Sequence, residues 1–179
     1  GLQIPYSNEP VDLQEDRALA KLAEADPFLA IEVKKELRFI KNNIWPIRDG
    51  VAVEIPSDAL NIYVKKGAQL RGMMRYEDNL DRSKERVVVD FEYFDKLQDN
   101  TNRAAAHIHE AVYKVLRDKR YVANSVLSPQ INACMFSTDD CFDVQMSQVK
   151  FSREQEVSRC ANDSTELFVA KESSSPKIG

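Results

Sequence analysis

Two histidines, a glutamate and a tyrosine fall within one seven-residue stretch, His107-Ile108-His109-Glu110-Ala111-Val112-Tyr113. In the HExxH pattern of zinc-dependent peptidases, histidines at i and i+4 share one face of a helix, and the glutamate beside the first acts as general base. Here His109-Glu110 supplies the first half, and Tyr113 occupies the place of the second histidine. His107 is no substitute. At about 100° per residue it lies about 200° round the helix from His109, so the two imidazoles face nearly opposite sides. His109 and Tyr113 are about 40° apart and meet at one surface.

These are the only histidines in the chain. A metal centre would need carboxylates or a phenolate to complete it, and a tyrosine with an ordinary pKa near ~10 is a poor zinc ligand at neutral pH. Asp139, Asp140, Glu154 and Glu156 are candidate third ligands, and no local spacing selects among them. Two readings stand side by side. In one, Glu110 is catalytic and His109 binds zinc in a divergent metal-dependent hydrolase. In the other there is no cofactor. Glu110 then partners a nearby base, and His109 and Tyr113 form a hydrogen-bonded, partly buried pair. His107 is a solvated residue beside Lys114 on the outer face.

The motif sits on a predicted helix over residues 100–117, with Ala105, Ile108, Val112, Val115 and Leu116 as its core stripe. Upstream, Asp12 with Glu15 three residues later marks a helix start, and residues 17–25 are strong helix formers. Asp26-Pro27 reads as N-cap and first-turn proline of a second helix through about residue 43. Its core positions are Leu29, Val33, Leu37, Ile40 and Ile44, and Trp45-Pro46 ends it. The period then becomes two. Strands are expected over 51–55, 61–65, 70–77 and the valine-rich 86–91, followed by a helical turn within 91–98. Ser128 and Pro129 open a further helix, 129–136, after which polar loops follow, with a capping box at 152–155 and a last strand at 165–170.

The expected layout is a single α+β domain over residues 12–171, a small mostly antiparallel sheet packed against helices. Within it, 12–43 is helical, 47–94 forms the sheet, 100–137 holds the HE helix and its successor, and 138–171 is the C-terminal part. An extended lead-in (1–11) and a flexible serine-rich tail (172–179) flank it. A length of 179 residues with 43% hydrophobic and 30% charged side chains suits one core. A net charge of −4 with interspersed signs argues against a general nucleic-acid binder. No stretch approaches the ~20 apolar residues of a membrane span. The first residues show neither a basic n-region nor an apolar h-region, so a signal peptide is either already removed or never existed. Nucleophile-elbow, phosphate-loop and dinucleotide fingerprints are missing.

The three cysteines, Cys134, Cys141 and Cys160, lack CxxC spacing. Cys134 lies in an apolar run and reads as a small buried thiol. In an oxidising compartment, Cys141 and Cys160 are positioned to close the polar stretch 143–159, worth roughly 3 kcal/mol on the chain-entropy model. The compartment decides.

The order of elements, a valine-rich last strand, a short turn through Phe94 and Leu97, then the HE helix, resembles the zincin metallopeptidase arrangement. More closely, residues 87–137, roughly a third of the chain, resemble an uncharacterised family of exported bacterial proteins, frequent in predatory bacteria, with a degenerate HExxY motif. The matching positions are Val87-Val88-Val89-Asp90, Ala104-Ala105, His109-Glu110, Tyr113, Arg117, Asn124-Ser125 and Phe136-Ser137, with Leu127-Ser128-Pro129-Gln130 where that family carries an arginine. The resemblance implies a periplasmic or secreted protein with a zincin-like helix-on-sheet core. Its function is unassigned and catalysis would be lost; the non-catalytic reading gives it a protein or cell-envelope partner, bound near the HE helix.

Overall fold

Residues 11–42 fold as two helices joined through one residue, Asp26. The computed structural model describes residues 3–47, 73–97, 99–118 and 127–143, together with Met146 and Val149. Helix α1 (Val11–Ala25) starts after Pro10 without a side-chain cap. The expected Asp12 cap is corrected: Asp12 lies inside the first turn, and its carboxylate reaches Lys41 instead. Helix α2 (Pro27–Asn42) starts as expected, with Asp26 Oδ1 accepting from the Leu29 amide at 3.0 Å and proline in the first turn. Lys41, late in α2, returns to Asp12 and Glu15 early in α1, so the two helices are antiparallel.

Trp45-Pro46 does more than stop a helix. Ile44–Ile47 is strand β1, since the proline ring and its restriction of the preceding residue both favour extended backbone. It pairs in parallel with β3 (Arg86–Asp90), which pairs antiparallel with β2 (Met74–Glu77) on its other side. The described sheet is therefore mixed, in the order β1-β3-β2. Val87, Val88 and Val89 are all buried, as an unbroken valine run in a central strand requires. Val87 and Val89 share a face with their register partners Tyr76 and Met74, and all four join the helices in one core. The α+β class is as expected. The predicted strands at 51–55 and 61–65, the capping box at 152–155, the strand at 165–170 and the tail lie outside the described residues.

A one-turn helix α3 (Phe91–Phe94) leads to α4 (Asn100–Asp118), the HE helix, which packs against α1, α2 and α5 (Leu127–Phe136). Its buried stripe runs through Ala104, Ile108, Ala111, Val112, Val115 and Leu116, and Ala105 sits at its margin. Helix α5 begins earlier than Pro129 and draws Ser128 fully inside. Beyond it, the expectation of polar loops fails at three positions. Phe142, Met146 and Val149 have helical backbone and are buried. Their i, i+4, i+7 spacing is that of a core-facing helix stripe. Among the described residues, no helix is long and apolar enough to cross a membrane.

Candidate functional site on the HE helix

Helix α4 brings His109 and Tyr113 together as the spacing requires. Their rings are nearly parallel (16°) with centroids 6.5 Å apart, an offset stack in place of the expected hydrogen-bonded pair. One turn further, the Arg117 guanidinium lies 5.4 Å from the Tyr113 ring centre. His109, Tyr113 and Arg117 thus form a ladder at i, i+4 and i+8, each partly exposed.

Glu110 flanks this ladder. It keeps some open surface, yet burial by the protein around it pushes its carboxyl up to about 8, outweighing the opposite pull of the Arg117 charge. The expected base partner is absent among the described residues: no ion pair or hydrogen bond reaches Glu110, because Arg117 turns to Asp78 at 2.6 Å. Burial moves the His109 imidazole the other way, below its ordinary 6.5. Near neutral pH the pair is a largely protonated carboxyl beside a neutral imidazole. Such a carboxyl can give or take a proton near neutrality, as general acid–base chemistry requires.

His107 faces the far side of α4, as the angular arithmetic demands, but it is not solvated. Its Nδ1 lies 2.8 Å from Glu15 Oε1, and its ring stacks on Phe94 at 5.2 Å. Glu15 also accepts from Lys41 Nζ at 2.7 Å, so α1, α2 and α4 are tied by one buried carboxylate. Lys114 is likewise corrected from surface to interior. It is 4% exposed and reaches Asp78 (2.8 Å), Asp118 (3.0 Å) and Glu85 (3.4 Å), with the Tyr76 ring 5.1 Å away. Tyr76 in turn donates to Glu36, which also accepts from Arg82 at 2.6 Å. Sequence patterning missed both networks. Their one local signal is a Lys, His or Glu standing at a core-facing helical position.

The disulfide is Cys134–Cys141, with Cα atoms 5.6 Å apart. This corrects both the free buried thiol at Cys134 and the Cys141–Cys160 pairing; Cys160 lies outside the described residues. The physical reason is the tight turn after α5. The Ser137 amide still donates to Ala133 in the helical pattern, and the chain then reverses within four residues, bringing Cys141 back beside Cys134.

The described residues do not assemble a zinc donor set. His109 is the one imidazole on its face, and no three His, Cys, Asp or Glu side chains converge among them. Asp139 is engaged elsewhere, accepting from the Gln3 amide at 3.1 Å, while Glu154 and Glu156 lie outside the described residues. No protein-family model matches the chain, and searches of curated proteins and of solved structures return no match.

Proposed function

We propose that this chain is an exported, non-catalytic, zincin-like domain that binds a protein or cell-envelope partner through the His109–Tyr113–Arg117 face of α4. The observation carrying this reading is the division of the two histidines. His107 is committed to Glu15 in the interior, and His109 stands in a ladder of ring and guanidinium faces, the groups that anchor protein contacts. Export is supported by the family resemblance and by the Cys134–Cys141 disulfide, a bond typical of oxidising compartments. The test is capture of envelope proteins by the full chain against Tyr113→Ala and Arg117→Ala. The reading expects a partner retained by the wild type and lost with either variant while the fold survives. Equal retention by all three contradicts it.

One observation favours a second reading, a divergent metal-dependent hydrolase using His109 and Glu110. A carboxyl raised to about 8 beside a histidine is the kind of perturbed group that clusters at active sites. Peptide hydrolysis that depends on added zinc and disappears in Glu110→Gln would establish this reading over the first.

A further inference from the structure

We propose that the cleft between α1 and the end of α5 binds a small monoanionic carboxylate carrying a short apolar group. The cleft, open to solvent on one side, offers about 320 Å³, at the lower end of the size range of small-molecule sites, about 300–1,000 Å³. One wall is formed by Pro5, Ser7 and Glu9, within a segment 3–9 that is tied down along its length. The Ser7 amide donates to Thr101 Oγ1 at 2.9 Å, Gln14 Nε2 to the Glu9 carbonyl at 2.9 Å, and the Thr138 amide to the Gln3 carbonyl at 2.9 Å. The site is therefore largely formed before any ligand arrives.

Its charged lining is Glu9, Arg17 and Lys21, two cations one helical turn apart against one carboxylate. Arg17 pairs with Glu9. Lys21 Nζ is fixed by the carbonyls of Ser137 (2.6 Å) and Asp139 (2.7 Å), with the Phe142 ring 5.9 Å away. Among the described residues no carboxylate forms an ion pair with it. The Asp139 carboxylate turns instead to the Gln3 amide and the Ser137 hydroxyl. An ammonium has three donors, so among the described residues two carbonyls leave one N–H unclaimed and no carboxylate balances the charge. Ala18, Met135 and Phe136 line the apolar part. A fixed cation with one open donor beside an apolar wall recognises a carboxylate through charge-assisted hydrogen bonding and its short tail through burial. The site is separate from the His109 face and does not rest on the reading of that face.

Calorimetric titration of the full chain with hexanoate, N-acetyl-leucine and the amide of each tests this. At least one acid should bind saturably, at least tenfold tighter than its amide. Binding of hexanoate alone marks a free amphiphile as the ligand, and binding of N-acetyl-leucine marks a peptide C-terminus. Lys21→Gln should weaken the binding acid at least tenfold, and Lys34→Gln, on exposed α2 surface, should leave it unchanged. Since Lys21 also holds the turn after α5, Phe136→Ala serves where Lys21→Gln does not fold, with an expected loss of at least threefold. Absence of saturable binding, equal binding of acid and amide, or indifference to the folded variant overturns the proposal.

Discussion

His107 Nδ1 lies 2.8 Å from Glu15 Oε1, on the side of α4 turned away from His109. This contact spans 92 positions of sequence and ties the HE helix to the first helix of the chain. It commits His107 to the interface with α1 and leaves His109, partly exposed, on the other side of α4. Removing either partner leaves a buried polar group short of a hydrogen bond, which costs about 1–3 kcal/mol. His107→Ala and Glu15→Leu should each lower unfolding free energy by at least that amount in urea titrations. Neutral behaviour of both substitutions would mean that the pair contributes nothing to the fold.

Lys114 is the hub of a second network, between Asp78, Glu85 and Asp118. Its loss leaves the buried Glu85 carboxylate, among the described residues, with only the more distant Arg82 at 3.7 Å. Breaking a buried pair from one side costs about 3–5 kcal/mol, whereas replacing both partners by apolar groups is often close to neutral. Lys114→Met should therefore destabilise by roughly 3 kcal/mol or more. The double variant Lys114→Met with Glu85→Leu should recover much of that loss in a double-mutant cycle. Additive losses would show that the two residues are not coupled.

The sequence made much of this fold legible, and all but one of the exceptions below share a cause. The spacing of Leu29, Val33, Leu37 and Ile40, the Asp26-Pro27 start and the valine run at β3 each report a local property, and each holds. The same is true of the site. The opposed orientation of His107 and His109, and the meeting of His109 with Tyr113, follow from helix geometry alone. What sequence did not show depends on distant chain. His107 reads as solvated until Phe94 and α1 are placed behind it, and Trp45-Pro46 reads as a break until β3 lies alongside. The disulfide is the local exception: the chain returns to Cys134 within seven residues, and neither spacing nor composition marks that return.

Glu110 sets a pH dependence with a definite sign. Its carboxyl titrates near 4.5 in the unfolded chain and is raised to about 8 in the fold. The native state therefore holds the proton over that interval, and the contribution to stability is complete below pH 4.5 and lost as pH rises through about 8. The slope is at most about 1.4 kcal/mol per pH unit. Glu110→Gln removes it, so the variant should gain on the wild type from pH 5 to pH 8 in denaturant titrations. His109, lowered by burial, acts in the opposite sense below its ordinary 6.5 and is common to both proteins. Parallel stability curves for the two proteins would contradict a raised Glu110.

The disulfide secures the turn on which the N-terminal segment depends. Cys134 and Cys141, seven positions apart, enclose Thr138 and Asp139, whose amide and carboxylate hold Gln3. Closing so short a loop contributes about 2–3 kcal/mol on the chain-entropy model. Reduction should lower the melting temperature and speed hydrogen exchange at the Thr138 amide, which donates to Gln3 at 2.9 Å. Unchanged exchange after confirmed reduction would show that the turn holds by itself.

The central claim is that the HE face of α4 is a contact surface rather than a metal centre. Zinc titration by calorimetry on the full oxidised chain, with His109→Ala beside it, tests this most directly. The claim predicts no stoichiometric, His109-dependent uptake of zinc. One zinc bound per wild-type chain, with binding abolished by His109→Ala in a folded variant, would contradict it.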